Sequence, residues 1–158
     1  GAGVSGELAY DFDIAQNLTV SPLVTLDAGW FGHEGFEETG AGALNLTGEA
    51  ASWTRSDIGI GVALAYAMPT EVGLLKLEAR VVWEHGFADA TPSQSLLFEG
   101  SPTLFSVRGP DAGRDRLHVG AGLSLDVSDD VSLSARYYGR FSTDQVTHAA
   151  TFGLNIRF

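Results

Sequence analysis

Apolar and polar residues alternate with a period of two along most of this chain. Because successive side chains of a β-strand point to opposite faces of a sheet, this period predicts strands rather than helices. About seven segments keep the alternation over roughly ten or more residues, whereas soluble strands average ~5–6 residues and membrane-spanning strands need ~9–11. The predicted strands lie within residues 2–12, 18–30, 43–67, 75–87, 114–127, 131–141 and 149–158.

The connections between these segments alternate in length. Short turns on one side of a sheet and long loops on the other are typical of bacterial outer-membrane barrels. Pro22 lies inside the second segment and predicts an edge or a bulge there, because proline cannot donate to a strand ladder. The predicted fold is an all-β, antiparallel, up-and-down transmembrane β-barrel. Short turns are predicted near 13–17, 68–72 and 127–130, and longer loops near 32–42, 88–113 and 142–146.

The two phases of the alternation differ in chemistry. The apolar phase carries almost no charge, while the opposite phase combines charged residues with many Gly, Ala and Ser residues. A crowded barrel lumen suits small residues better than a free surface does, and aromatic residues near strand ends are typical of interfacial girdles. The predicted lumen-lining polar residues are Glu7, Asp27, Asp57, Lys76, Glu78, Arg80, Glu84, Arg136, Arg140 and Arg157. The predicted aromatic girdle consists of Tyr10, Phe12, Trp30, Tyr66, Phe87 and Phe141.

Composition excludes several classes of protein. The net charge of −11 argues against a nucleic-acid partner, because a binder needs Lys and Arg to displace phosphate counterions. The absence of cysteine rules out a disulfide framework and thiolate metal sites. No apolar run approaches the ~18 residues of a transmembrane helix. No signal-peptide pattern begins at Gly1, so we expect that a signal peptide was removed or that the chain begins within a larger protein.

No catalytic residue, metal site or cofactor is predicted. The histidines lie in separate segments without a serine nucleophile motif, and a His–Asp pair near the loops is the remaining enzymatic alternative. The acidic loop residues are interpreted as solvated charge, with divalent-cation binding at a lipopolysaccharide surface as the alternative. The glycines of residues 120–122 precede no helical pattern, which excludes a phosphate-binding loop. The histidines are His33, His85, His118 and His148, and the loop acids are Glu34, Glu37 and Glu38.

Several stretches occur in an order and spacing that resemble one known family. They are GFEETGA at 35–41, EARVVWEHGF at 78–87, FEG at 98–100, FSV at 105–107, RDRLHVGAG at 114–122 and YYGRF at 137–141, followed by the strand that ends in Phe158. They resemble the C-terminal translocator β-domain of autotransporters, the type V secretion proteins of Gram-negative bacteria. The resemblance implies an integral outer-membrane barrel of about twelve strands. It also implies insertion by the Bam assembly complex, a helix through the lumen and a passenger exported to the cell surface.

About seven strands fall short of that barrel. We therefore expect residues 1–158 to form the C-terminal portion of one, with N-terminal barrel strands and passenger missing from this sequence. An open edge in lipid leaves backbone groups unpaired, which predicts pairing with the missing strands. Outer-membrane lipid and lipopolysaccharide are the other expected partners. The terminal strand resembles the assembly signal that the Bam complex reads, carried by Phe152, Leu154, Ile156 and Phe158.

Two other functions compete with a translocator. The first is a porin-like or adhesin barrel in the outer membrane without a passenger. The second is a soluble β-sandwich that acts as a binding module. The environment of the apolar side chains distinguishes the sandwich from the two kinds of barrel. A sandwich covers these side chains with a second sheet, whereas a barrel exposes them to lipid.

Overall fold

The computed structural model describes residues 1–88, 91, 93–109, 111 and 113–158, and these residues are almost entirely antiparallel β-structure. One short 3-10 helix spans Gly42–Leu44. Among the described residues, no helix has the length and apolarity needed to cross a bilayer. The strands are β1 (Ala2–Ala9), β2 (Phe12–Ala15), β3 (Leu18–His33), β4 (Phe36–Glu37), β5 (Leu46–Gly48), β6 (Ala51–Thr70), β7 (Gly73–Gly86), β8 (Ser93–Phe98), β9 (Phe105–Arg108), β10 (Asp115–Asp126), β11 (Val131–Phe141) and β12 (Val146–Ile156).

The main sheet has the order β1-β3-β6-β7-β10-β11-β12, and all neighbouring strands are antiparallel. Each strand pairs with the next long strand along the chain, which is an up-and-down topology. The expected seven long antiparallel strands are confirmed, but the third begins at Ala51 rather than near residue 43, because residues 42–48 contain the 3-10 helix and β5 instead. In the part of the chain that the structure describes, β1 and β12 do not pair with each other, so the main sheet is open.

The strand pairing is interrupted opposite Pro22. The Tyr10 N–H donates to the Pro22 carbonyl at 3.2 Å, but proline has no N–H to return a second bond. The edge opposite β3 breaks at this point into β1 and β2, and the β2 register shifts again between Asp13 and Ala15. Pro22 therefore remains inside β3, and its missing donor faces the break.

The two ends of the main sheet differ. One end has the short turns at 16–17, 71–72 and 127–130, and the chain terminus lies there because the Arg157 N–H donates to the Asp130 carbonyl at 2.8 Å. The other end has the connections 34–50, 87–114 and 142–145. The predicted alternation of short and long connections is found, although β6 continues through residues 68–70, which were predicted to lie in a turn.

The prediction of a single unstructured loop over 88–113 is wrong, because β8 and β9 lie within it. These strands are too short for the period of two to identify them. Residues 89, 90, 92, 110 and 112 of that predicted loop lie outside the described residues. The strands β4, β5, β8 and β9 form a second, four-stranded antiparallel sheet in this order. We call it the loop sheet, because it joins the two longest connections.

The main sheet exposes its apolar side. Along β6, Ile60 and Leu64 are exposed, whereas Asp57 and Gly59 between the apolar positions are buried. We call the apolar side the outer face and the opposite side the inner face. A soluble sandwich would cover the outer face with a second sheet, and exposed apolar area of this extent marks a surface that contacts lipid or protein.

Small residues on the inner face allow close contact between neighbouring strands and their side chains. A Cβ at Gly59 would lie 2.3 Å from the Thr25 hydroxyl oxygen, and one at Gly61 would lie 2.3 Å from the Val81 carbonyl oxygen. A side chain at Gly61 would displace the backbone of β7, and one at Gly59 would displace the Thr25 and Val82 side chains. Leu23 and Val82, the buried apolar side chains of the described residues, pack on this face.

Candidate functional site

Four charged side chains meet on the inner face towards the long-loop end. Arg55 and Asp57 come from β6, Glu84 from β7 and Arg116 from β10. The strand register brings them together, since Glu84 lies directly opposite Arg116 and Asp57 opposite Gly86. We call these four side chains the ion cluster.

Arg116 is the centre of the ion cluster, with only 3% of its side chain exposed. Its Nε donates to Glu84 Oε1 at 2.7 Å, its Nη1 donates to the Gly113 carbonyl at 2.9 Å, and its Nη2 pairs with Asp57. Arg55 pairs with Asp57 and reaches Glu84 Oε1 at 3.5 Å. Two cations thus balance two anions, as burial requires, because an unpaired buried ion costs several kcal/mol.

The backbone also makes room for the ion cluster. A Cβ at Gly86 would lie 2.9 Å from Asp57 Oδ1 and 3.4 Å from Arg116 Nη1. His118, two residues along β10, borders the cluster, with Nε2 at 3.7 Å from Glu84 Oε2. Its other ring nitrogen, Nδ1, lies 2.7 Å from the Tyr138 hydroxyl. The buried Nε2 has no hydrogen-bond partner among the described residues.

Next to the ion cluster, the inner face opens into a cavity of about 620 Å³, which we call the trough. Its floor follows β10, where Gly120 and Gly122 have no side chain. The register places Gly122 between Glu78 of β7 and Arg136 of β11. These flanking strands lie two strand spacings apart, roughly 10 Å. The trough therefore has a smooth floor and charged walls.

One ion pair crosses the concave side of the main sheet. The Arg80 guanidinium on β7 donates to both carboxylate oxygens of Glu7 on β1, with Nη1 at 3.1 Å from Oε1. Three strand spacings separate β1 from β7, roughly 14 Å on a flat sheet. The sheet must curl towards its inner face for these two side chains to meet. This curvature is expected for part of a barrel wall.

All the polar residues predicted for the lumen lie in the inner-face phase, and their surroundings differ. Asp57 and Glu84 belong to the ion cluster, and Glu7 pairs with Arg80. Lys76 pairs with Asp126 at 2.8 Å near the short turns. The positions of the others are as follows: Glu78 and Arg136 on the trough walls, Asp27 opposite Asp57, Arg140 beside a cavity of about 310 Å³ that Arg55 and Arg116 also line, and Arg157 after β12.

Sequence reasoning missed Arg55, Arg116 and Asp126 as inner-face ions. Each has the same parity as a predicted lumen residue on its own strand or on the adjoining one. The alternation of the sequence was therefore sufficient to predict that they lie on the inner face. His118 has the same parity as Arg116 on β10, and its contact with Glu84 depends on the register between β7 and β10. The positions are now known, whereas a role for these residues in the lumen stays a prediction.

The residues of the predicted assembly signal share the outer face of β12. Phe152 is 82% exposed, and Leu154 and Ile156 are exposed beside it, while Phe158 follows the strand end. Among the described residues, β12 pairs only with β11. Its second edge is therefore available for another strand.

The predicted girdle residues separate into two groups. Tyr10, Phe12 and Tyr66 lie towards the short turns, whereas Trp30, Phe87 and Phe141 lie towards the long loops. Tyr66 lies opposite Leu18, twelve residues (30 − 18) from Trp30 along β3. At about 3.4 Å per residue and a tilt near 40°, the two groups are roughly 30 Å apart along the membrane normal. This separation matches the apolar thickness of a bilayer.

The described residues contain no group of three or more His, Asp or Glu side chains placed to hold a metal ion. The predicted loop acids are exposed. The Glu38 carboxylate accepts a hydrogen bond from the Leu46 N–H at 3.1 Å, within the connection between β3 and β6.

Comparisons with known proteins agree with this architecture. The autotransporter β-domain family model matches residues 1–138. An extracellular serine protease of Serratia marcescens is 25% identical over 152 residues, and a second one from the same organism is 23% identical over 152 residues. Each alignment covers 96% of this chain and 14% of the relative, so the chain spans about a seventh of the curated relatives that it matches.

Proposed function

We propose, starting from the fact that this chain belongs to the autotransporter β-domain family, that it exports an N-terminal passenger to the cell surface and anchors it there. Membership of the family makes the chain an integral β-barrel protein of the outer membrane in a type V secretion system. The observation that carries the proposal is the reversed polarity of the main sheet. Its outer face is apolar over the thickness of a bilayer, and its inner face has a charged, small-residue trough.

We further propose that residues 1–158 are the C-terminal portion of a barrel that further strands complete. The open edges of β1 and β12 support this, because the membrane offers no water to unpaired backbone groups. The same edges argue against the main sheet alone as a finished membrane protein. Strands that pair with both edges would continue the curvature that the Glu7–Arg80 pair reveals.

The trough is the proposed binding site for the lumen helix and for the passenger polypeptide during export. Gly120 and Gly122 leave room for a helix or an extended segment to approach the wall. Glu78 and Arg136 have no ion pair within the described residues, and they supply one charge of each sign to a segment in the trough. The ion cluster, in contrast, is internally balanced and supports the wall beside it.

Catalysis is not part of the proposed role. A β-domain of this family is a translocator, and the protease names belong to the Serratia relatives. We assign any enzymatic activity of the complete protein to a passenger outside residues 1–158.

The terminal strand is the proposed contact with the Bam assembly complex. Phe152, Leu154 and Ile156 present alternate apolar side chains beside an unpaired strand edge, which is the arrangement used in recognition by strand addition. Outer-membrane lipid and lipopolysaccharide are the proposed surroundings of the outer face and the long-loop end.

Expression of the complete gene in a Gram-negative host tests both parts of the proposal. Heat-modifiable gel mobility measures barrel assembly, and external protease measures passenger exposure. Phe158→Ser is expected to lower the amount of assembled barrel several-fold, while Phe12→Ser, an aromatic substitution at the same end of the sheet, leaves it nearly unchanged. Equal amounts of assembled barrel from both variants would contradict the proposed role of Phe158 in the assembly signal. A barrel that assembles in the wild type without any exposed passenger would favour the porin-like alternative.

A further inference from the structure

Two histidine side chains lie on the outer face of the main sheet, in its half towards the long loops. His85 of β7 lies opposite the outer-face residue Ile58, and His148 of β12 has the parity of Phe152. Within the seven long strands, all of whose residues the structure describes, these two imidazoles are the only outer-face groups that can carry a positive charge. They are therefore exceptions on a face that is otherwise mainly apolar.

Each imidazole lies beside a phenylalanine of the predicted girdle at the long-loop end. The His85 and Phe87 rings meet edge to face with their centroids 5.0 Å apart, and the His148 and Phe141 rings do so at 5.4 Å. Trp83 is a second aromatic neighbour of His85, at 5.9 Å. Girdle aromatics lie where the bilayer meets water. Both imidazoles are therefore at the level of the lipid headgroups.

Asp115 orients the ring of His85. The register places the two residues opposite each other on β10 and β7, with His85 Nδ1 2.9 Å from Asp115 Oδ1. An ionised carboxylate can only accept a hydrogen bond, so Nδ1 carries a proton and donates it. Nε2 has no hydrogen bond to a described residue, and 32% of the side chain is exposed. This His–Asp pair lies on the outer face, so the barrel wall separates it from the lumen.

Tyr137 orients the ring of His148 in a similar way. Its hydroxyl on β11 lies 2.7 Å from His148 Nδ1. A tyrosine hydroxyl can donate to Nδ1, and a neutral imidazole then carries its proton on Nε2. Here too, Nε2 has no partner in the described part of the chain. Both imidazoles thus have Nδ1 occupied by a side chain of a neighbouring strand and Nε2 available to a group outside the protein.

The position of the two imidazoles narrows the identity of that group. Long loops of bacterial outer-membrane barrels face the outside of the cell. The outer leaflet there contains lipopolysaccharide, whose lipid A part carries phosphate groups at the level of the headgroups. Phosphate oxygens accept charge-assisted hydrogen bonds from an imidazolium, whereas hydrocarbon tails accept none. The chemistry that fits both sites is therefore a lipid phosphate of the outer leaflet.

We propose that His85 and His148 bind phosphate groups of lipopolysaccharide through Nε2. The two residues lie on strands three spacings apart, roughly 14 Å across the sheet, so separate phosphate groups occupy them. Such contacts fix the depth and the rotation of the barrel in the outer leaflet. The inference rests on the proposed function for one point, the orientation of the barrel with its long loops outside.

Lipid binding by the complete barrel, purified from cells that express the full-length precursor, tests the inference. Native mass spectrometry measures the fraction of barrel that retains bisphosphorylated lipid A, with dephosphorylated lipid A, phosphatidylglycerol and inorganic phosphate in parallel. We expect the wild type to retain bisphosphorylated lipid A at least about tenfold better than the dephosphorylated form. His85→Phe and His148→Phe should each lower retention about threefold, and the double variant about tenfold.

Two controls separate phosphate binding from a structural effect. Phenylalanine keeps an aromatic ring against Phe87 and Phe141, so heat-modifiable mobility should show normal barrel assembly in all three variants. His33→Phe changes an imidazole at the same end of the sheet but in the inner-face phase, beside Trp53. This variant should retain lipid A as the wild type does.

The two sites should also differ in their dependence on pH. The titratable groups packed against the rings are Asp115 at His85 and Tyr137 at His148. Neutral His85 has a lone pair on Nε2 because Nδ1 donates to Asp115, whereas neutral His148 keeps an N–H on Nε2. Between pH 6 and pH 8.5, His148→Phe should therefore lose at least about fivefold more lipid A retention than His85→Phe.

The outcomes separate this inference from the proposed function. Equal retention of dephosphorylated and bisphosphorylated lipid A, or undiminished retention by the double variant, overturns the inference. Equal histidine-dependent retention of phosphatidylglycerol, or competition by inorganic phosphate at similar concentration, overturns the assignment to lipopolysaccharide. Passenger exposure at the cell surface is measured separately, so a wild-type protein that binds lipid A but exports nothing contradicts the proposed function alone.

Discussion

The ion cluster and the trough are neighbours on one inner face, and they treat charge in opposite ways. In the ion cluster every charged group has a partner, and Arg116 is almost fully buried. In the trough Glu78 and Arg136 lie on either side of a glycine floor, and no ion pair joins them to described residues. The paired charges of the ion cluster stabilise the barrel wall. The unpaired charges of Glu78 and Arg136 border an empty space and can bind a polypeptide segment that enters the trough.

Removal of Arg116 should have the largest effect on stability. Arg116→Ala leaves Asp57 and Glu84 buried with Arg55 as their remaining cation, and breaking a buried pair costs about 3–5 kcal/mol. Urea titration of the assembled barrel, followed by heat-modifiable mobility, measures this loss. Arg136→Ala, on the exposed trough wall, is the matched control and should change the free energy of unfolding by less than about 0.5 kcal/mol. Similar losses in both variants would erase the distinction between the two regions.

Filling the trough should stop export without loss of stability. A Cβ at Gly120 meets nothing closer than Arg80 Cβ at 3.7 Å, so Gly120→Leu fits the wall and extends into the trough. We expect passenger exposure to fall about tenfold, because the larger side chain occupies the space of the helix or of the passing chain. Gly6→Leu, at an outer-face position with open space around it, should leave exposure unchanged. Normal export by Gly120→Leu would show that the trough is not on the route.

Charge reversal on the trough walls should have a smaller effect on export. Glu78→Arg and Arg136→Glu are each expected to slow passenger exposure about threefold, since each reverses the attraction for a charged group in the trough. The double variant should not recover, because the two side chains do not pair with each other. Full recovery in the double variant would instead identify a hidden ion pair between β7 and β11.

The exposed pair of Glu7 and Arg80 should contribute least. Both side chains are about two-fifths exposed, at 42% and 41%, and exposed ion pairs typically contribute less than about 1 kcal/mol. Glu7→Gln should therefore lower the free energy of unfolding by at most about 1 kcal/mol in the urea titration, with the difference reduced further by salt. A loss as large as that of Arg116→Ala would mean that this pair, rather than the ion cluster, maintains the curvature.

Much of the main sheet was predictable because a period of two needs no knowledge of partners. Ile60 and Leu64 had to share one face and Asp57 and Gly59 the other, whatever the strands pair with. The same parity would have placed Arg116 on the inner face beside His118. What parity could not provide is distance: Arg116 and Asp57 are 59 residues apart, and only the register of three strands makes them neighbours.

The loop sheet was not predictable for a different reason. Its strands are two to six residues long, which is too short for a reliable alternation. Leu46 and Phe98 become opposite residues only because two separate connections leave the same end of the main sheet. The missed strands within 88–113 therefore reflect pairing between distant segments, which outweighs local pattern in short strands.

By itself, the sequence determined that long strands alternate in polarity, that short turns and long loops lie at opposite ends, and that the apolar phase needs a lipid-like environment. These properties follow from backbone geometry and from the transfer of side chains out of water, which act residue by residue. The tertiary structure alone decided which ions are paired and which have no partner, where the trough lies, and that two long connections combine into a second sheet. These features depend on strand register and curvature, and both are set by contacts between residues far apart in the chain.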